Sequence, residues 1–308
     1  MKEKLLTKTP VVCLLTFVCC FLWGSAFPCI KTGYQLFRIA SGDTASQLLF
    51  AGIRFTLAGI LTLLIGSAAS RKFLRPGKGS LKPIAALAMV QTVIQYFFFY
   101  IGLAHTTGVK SSIIEASSTF FAILAASLIF HYEALTFRKI LGCLIGFAGV
   151  VIITLAGGSM DFHLSLNGEG FMLLSTLAYA LSSALVKKFS EKENPVVLSG
   201  YQFLMGGVIL SLCGLSMGGR LTVFTPSAIL LLTYMALISA VAYSLWGILL
   251  KYNPVSRISV FGFMNPVIGV LLSALILNEK NQAFSIYGLV SLILVCIGIY
   301  VVNKSQNK

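Results

Sequence analysis

Ten stretches of about twenty mostly apolar residues, joined by short polar connections, take up most of this 308-residue chain. A stretch of that length wound as an α-helix rises about 30 Å, which is the thickness of a bilayer's hydrocarbon core. The stretches run over about 11–31, 46–68, 83–104, 110–131, 138–157, 169–189, 196–217, 226–249, 256–277 and 284–303. Charged residues make up 10% of the chain, against roughly 25% in an ordinary soluble domain. The chain therefore reads as an all-α membrane protein of ten transmembrane helices, with no room for an extramembrane domain. The first run follows Met1-Lys2-Glu3-Lys4 in the manner of a signal peptide. It lacks a clear small-residue cleavage site and is long enough to span, so it counts as a helix.

A net charge of +14 would suit a nucleic-acid binder if it were gathered in one basic domain, but the Lys and Arg residues sit between the apolar runs. Nucleic acid is thereby excluded as a partner, and the charges report orientation instead. Assigning connections to alternate sides places 17 cations on one side, among them Lys8, Arg71, Lys72, Arg138, Lys187 and Arg257. The other side receives five, Lys31, Arg38, Lys110, Arg220 and Lys280, while Arg54 falls inside a helix. By the positive-inside rule both termini are cytoplasmic in a multi-pass protein of the cell (inner) membrane, bathed by membrane lipids. Termini on one side require an even number of spans, and ten satisfies this.

A repeat is visible as well. Glu133-Ala134-Leu135-Thr136 followed by Gly142 matches Glu279 followed by Gly288 at an offset of about 146 residues, and Tyr100 falls on Trp246 at the same offset. Trp23 falls near Tyr179 at a slightly longer one. The halves 1–157 and 158–308 then hold five helices each. Five is odd, so the second half enters the membrane from the opposite side and the halves form an inverted pair, the architecture that supports alternating access to a central site.

The polar inventory bears on chemistry. Asp43 and Asp161 are the only aspartates, the Glu residues number seven, and His105, His131 and His163 are scattered. Neither a carboxylate cluster nor a nucleophile with its base is present, which argues against an enzyme. Seven Cys lie in or beside apolar runs without CxxC or Cys/His spacing and read as packing residues, so no metal is expected. No GxxxxGK[ST] motif occurs, so no nucleotide cofactor is expected and a proton or substrate gradient is left as the driving force. Gly142-x-x-x-Gly146 is expected to admit a close helix neighbour within the protomer, and oligomeric state is left open.

Five pieces carry a family likeness: Trp23-Gly24-Ser25-Ala26-Phe27, Arg54-Phe55 with Ala58-Gly59, Glu133-Ala134-Leu135-Thr136, Asn265-Pro266, and Glu279. In this order and spacing the chain resembles the drug/metabolite transporter superfamily, specifically the EamA-type ten-helix carriers, over nearly its whole length. The resemblance implies movement of a small-molecule metabolite, often an amino acid, with export the expected direction. A flippase for a lipid-linked or phosphorylated headgroup is the alternative, because smaller members of the superfamily look suited to lipid-linked substrates and a basic central residue suits a phosphate. One departure stands out: Thr119-Phe120 occupies the place where the family commonly has a proline, so the helix 4 kink expected from the family loses its cause.

Charges inside a membrane cost several kcal/mol and mark cavities, partners or water paths. Arg54 and Glu115 are two such charges, both roughly 9–11 Å below one entrance at 1.5 Å per residue, so a mutual ion pair is one reading. In the other, Arg54 holds an anionic substrate group while Glu115 takes a coupling proton or a substrate amine. On helix 3, Gln91, Gln95 and Phe99 recur every four residues, with Tyr96 and Tyr100 on an adjoining stripe. Tyr179, Gln202, Tyr243, Trp246 and Asn265 would mirror this lining in the second half. The candidate substrate-binding set is thus Trp23, Arg54, Gln91, Gln95, Tyr100, Glu115, Gln202, Trp246 and Asn265. Glu133, just past helix 4, is expected to order the turn into helix 5, with Thr136 as a cap.

Overall fold

Pro10, Pro195 and Pro226 stand in the first turn of their helices, where a missing N–H costs nothing, and Asp43, Asn194 and Thr225 accept backbone N–H groups at helix starts. These signals start the apolar runs as helices. The computed structural model describes residues 5–40, 42–105, 108–155, 165–276 and 286–304. Asp161, His163 and Glu279 lie outside the described residues.

Helix α1 is Thr9–Leu36 and α2 is Thr44–Ser70. Helix α3 comprises Leu81–Leu87, a π-helical stretch Ala88–Ile94, and Gln95–Ala104. Helix α4 is Gly108–Leu124 with a π-helical end Ala125–Ile129, and α5 is Phe137–Leu155. Helix α6 opens π-helical at Leu166–Gly170 and continues over Phe171–Ser190, followed by α7, Pro195–Ser216, and α8, Pro226–Tyr252. Helix α9 comprises Val255–Ser259, a 3-10 turn Val260–Phe263, and Met264–Ile276, and α10 is Ile286–Lys304. There is no strand among the described residues, and seven of their helices are long and apolar enough to cross a membrane. The segment Thr119-Phe120 is regular α-helix, as the absence of proline there requires. In α9 the 3-10 turn precedes Asn265-Pro266, where Pro266 has no N–H for the carbonyl of Gly262.

Helix neighbours follow a simple rule. α2 lies along α7 and α5 along α10; α1 packs on α8 and α9, while α6 packs on α3 and α4; α2 touches α8 as α7 touches α3. Exchanging every label in these pairs with the one five places away returns the same pairs, although α6 also packs on α8 without a comparable α1–α3 contact. The two long seams depend on glycine. A side chain at Gly59 would meet the Leu204 amide at 2.6 Å and the Gly200 carbonyl at 2.7 Å, and one at Gly207 would meet the Gly52 carbonyl at 2.8 Å. Across the other seam, a Cβ at Gly142 would stand 2.9 Å from the Gly298 carbonyl, so the Gly142-x-x-x-Gly146 stripe packs inside the protomer. With little hydrophobic driving force between helices in lipid, such close backbone approach supplies the packing energy.

At one end of the bundle, Lys139, Lys187 and Arg257 take part in hydrogen bonds that tie the connections together. Glu133 does more there than order its own turn. Its carboxylate accepts from the Ser256 amide at 2.8 Å and from the Ser256 hydroxyl, so it caps α9 in the other half, and it pairs with Lys139 at 2.8 Å. Nearby, Arg257 donates to Asn253 and Thr9, and Asn253 donates to the Leu6 carbonyl. Glu193 in the α6–α7 connection accepts from the Gly77 amide at 2.7 Å, the Ser80 hydroxyl at 2.6 Å and the Asn194 amide at 2.8 Å.

Partial burial works against the charged form of Glu193, but these hydrogen bonds, led by that from Ser80, outweigh it and hold the carboxyl below the ordinary glutamate range. A lowered value means the tie is intact at neutral pH and is lost as pH falls through that value. Amide-exchange protection at Gly77 should therefore fall under acid conditions in the native chain and be weak at every pH in Glu193→Ala. Protection unchanged by the substitution would show that the α2–α3 connection holds itself.

Candidate functional site

Between the seams, helices from both halves enclose a cavity of about 940 Å3 including its open mouth. Its walls come from α1, α2, α3, α4, α6, α8 and α9, while α5, α7 and α10 contribute nothing to them. Trp23, Tyr96, Phe99, Tyr179 and Tyr243 make it aromatic, and Ser118, Thr119, Ser175, Thr176 and Ser259 line it with hydroxyls.

Two charges face this space. Arg54 is 3% exposed, its Nη2 donates to Ser239 Oγ on α8 at 3.0 Å, and its guanidinium lies 5.0 Å from the centroid of the Phe55 ring. Its Nε is buried without a partner. Glu115 lines the same cavity from α4, and no ion pair joins it to Arg54 among the described residues. The pairing that matched depths suggested is therefore not formed. A buried guanidinium with unused donors and no carboxylate partner among the described residues has the donors to receive a carboxylate.

Trp23, Arg54, Gln95, Glu115 and Asn265 come together in the lining. Gln91, Tyr100, Gln202 and Trp246 do not. Trp246 is buried behind Trp23, with ring centroids 4.9 Å apart, and Tyr100 is buried beside Tyr96 at 6.2 Å. Gln91 and Gln202 bond to each other: Gln202 Nε2 donates to Gln91 Oε1 at 3.2 Å, Gln91 donates to Ser182 at 3.0 Å, and Thr92 donates to Gln202 Oε1 at 2.6 Å. This network joins α3, α6 and α7 away from the cavity.

Elsewhere in the lining, Tyr96 Oη and Tyr243 Oη are 2.7 Å apart, either being able to donate, and Trp23 packs edge-on against Tyr243 at 5.2 Å. The hydroxyl face of α6, with Ser175, Thr176 and Tyr179, was missed by the sequence reading apart from Tyr179. The spacing of 3–4 residues from Met172 to Tyr179 was its available signal.

Comparison with known proteins adds a family. The chain matches the model of the "EamA-like transporter family" twice, over residues 10–155 and 166–304. It is 27% identical over 293 residues to an "uncharacterized transporter" of Archaeoglobus fulgidus, covering 92% of this chain and 95% of that protein. It is 26% identical over 316 residues to a "probable amino-acid metabolite efflux pump" of Escherichia coli, covering 96% and 94%. A solved crystal structure shares the fold with a TM-score of 0.77 at 17% identity, covering 97% of this chain and 99% of the other.

Proposed function

The chain belongs to the EamA-like transporter family, and from that premise we propose that it is a secondary carrier exporting a small metabolite, an amino acid or related compound, across the cell membrane. The observation that carries the substrate reading is Arg54: a buried, unpaired guanidinium in an aromatic-walled cavity receives a carboxylate, while the indole and phenol rings enclose the rest of a small molecule. Glu115 gives the cavity an opposite pole. The name of the Escherichia coli relative points the same way.

The carrier is two inverted five-helix repeats, 1–157 and 158–308, ten spans in all, working by alternating access. Several features support this. The family model matches once in each half, and the main helix pairings are unchanged when labels are exchanged by five. Shifted by the 147 residues that separate Tyr96 from Tyr243, Thr92 falls on Ser239 and Arg54 falls beside Gln202, so the Arg54–Ser239 and Gln202–Thr92 bonds are images of each other. The uneven division of Lys and Arg between alternate connections supports a cytoplasmic location for both termini. With no nucleotide motif in the sequence, a proton or substrate gradient drives the cycle.

In proteoliposomes, labelled amino acids should be moved with a rate that responds to an imposed pH or substrate gradient. A flat result across the amino-acid panel would remove this substrate class. Thermal stabilisation by lipid phosphates and by no amino acid would reverse the reading in favour of a headgroup flippase.

A further inference from the structure

The connection between α2 and α3, residues 71–80, joins two apolar helices long enough to span, so it lies at the membrane surface. It carries Arg71, Lys72, Arg75 and Lys78, followed by Lys82 in the first turn of α3, and the chain holds no acidic residue between Asp43 and Glu115. All five cations are exposed, and none makes an ion pair or a side-chain hydrogen bond among the described residues. Other cations of this end are spent inside the protein: Lys139 on Glu133, Lys187 on the Leu250 and Asn253 carbonyls, and Arg257 on Asn253 and Thr9. The connection is also held in place. Arg71 closes α2 in the left-handed conformation, at φ 52°, and the Leu74 amide donates to Ser67 Oγ at 3.0 Å while its carbonyl accepts from Tyr201 Oη at 3.2 Å. Gly77 and Ser80 are both tied to Glu193, so Lys78 sits in a fastened turn. Beside the tethered Leu74, Phe73 is 68% exposed, and the Arg75 guanidinium lies 5.3 Å from its ring centroid.

We propose that this connection is a docking surface for the headgroup of an anionic phospholipid in the surrounding bilayer. Charge complementarity carries the choice of partner: a cluster of four or more Lys and Arg directly beside a span attracts acidic lipid. The α6–α7 connection packed against it cancels none of this charge, because Lys188 and Lys192 match Glu191 and Glu193. Topology requires cations somewhere on this side, but it does not require them to be fixed, unpaired and joined to an exposed ring. Phe73 decides between lipid and a soluble anion, since an aromatic group at the boundary of headgroup and acyl chain gains from lipid and nothing from free phosphate. Holding the loop in advance lowers the ordering cost of binding. The surface does not depend on the carrier reading, only on α2 and α3 lying in a membrane.

The test titrates the purified full-length chain in neutral detergent with dioctanoyl phosphatidylglycerol, dioctanoyl phosphatidylcholine or inorganic phosphate, read by native mass spectrometry of adducts and by the unfolding midpoint. Saturable binding of the glycerol lipid, weaker at high salt, with little response to the choline lipid or to phosphate, is expected. Changing Arg71, Lys72 and Arg75 together to Gln should weaken it roughly 100-fold, and Arg75→Gln alone about 5-fold, as about 1 kcal/mol per cation implies. The lipid-free midpoint should not move in either variant, because the side chains are exposed. Changing Lys8, Lys188 and Lys304 to Gln, three exposed cations elsewhere, should leave the affinity within about 3-fold. Equal binding of the two lipids, an equal response to phosphate, or an equal loss in both triple variants would each overturn the proposal. Arg54→Ala separates this surface from the cavity. Lipid binding kept there and lost in the Arg71, Lys72 and Arg75 variant supports the surface and leaves the substrate reading untouched; the opposite pattern rejects the surface and favours a headgroup flippase.

Discussion

Replacing Arg54 with Ala should lower the rate of carboxylate-bearing substrate transport about 100-fold or more while leaving the protein no less stable. Two charge-assisted hydrogen bonds to a substrate carboxylate, at about 1.5 kcal/mol or more each, correspond to that factor. Arg54→Lys keeps the charge but loses the planar fork, and an intermediate loss of about 10-fold is expected. The stability measurement separates two roles. Were Arg54 the structural partner of a carboxylate, its removal would strand a buried charge and lower the unfolding midpoint. No such partner stands among the described residues, and Arg54 spends one donor on Ser239 and leaves Nε orphaned. An unchanged or raised midpoint together with lost transport is therefore the expected pair of results. A fall in both together would reassign Arg54 to the framework.

The second large effect belongs to the α2–α7 seam. Gly207→Val should leave little folded, monodisperse protein by fluorescence-detected size exclusion, because its Cβ would collide with backbone, the Gly52 carbonyl at 2.8 Å and the Thr56 amide nearer still. A flexible side-chain tip can swing away, but a helix backbone on the far side of a seam moves only by separating the two helices. Overpacking a core costs about 1–3 kcal/mol when side chains yield, and here the cost should exceed that range. The control is Gly42→Ala, where a Cβ meets nothing within 4 Å. Gly207→Val with native yield and midpoint would show that α7 does not depend on this contact.

Much of this was legible in the residues. Apolar length located the helices, intramembrane charge singled out Arg54 and Glu115, and aromatic and amide positions found Trp23, Gln95 and Asn265. Gln91 went astray for a definite reason. The expected stripe of Gln91, Gln95 and Phe99 assumes uninterrupted α-helix, but Ala88–Ile94 is π-helical, and its wider turns rotate the positions before Gln95 relative to those after it. Gln95 and Phe99 consequently face the cavity while Gln91 faces α7. Periodicity names the face of a helix and not the neighbour that face meets, which is why Gln202 could be read as lining when its partners are Gln91 and Thr92. The same gap hid the role of Glu133, whose ligand Ser256 lies 123 residues further along the chain.

The Tyr96–Tyr243 hydrogen bond has a consequence for the cycle proposed above. When two inverted halves trade conformations, most contacts between them must be given up and remade elsewhere: the Arg54–Ser239 geometry becomes that of Gln202–Thr92, and the reverse. Tyr96 and Tyr243 trade places with each other. Either hydroxyl can donate, so the bond is its own mirror partner and survives the trade with only its proton direction reversed. It is thus suited to be the fixed point about which the two halves of the proposed cycle rock, joining them across the cavity lining while each side opens in turn.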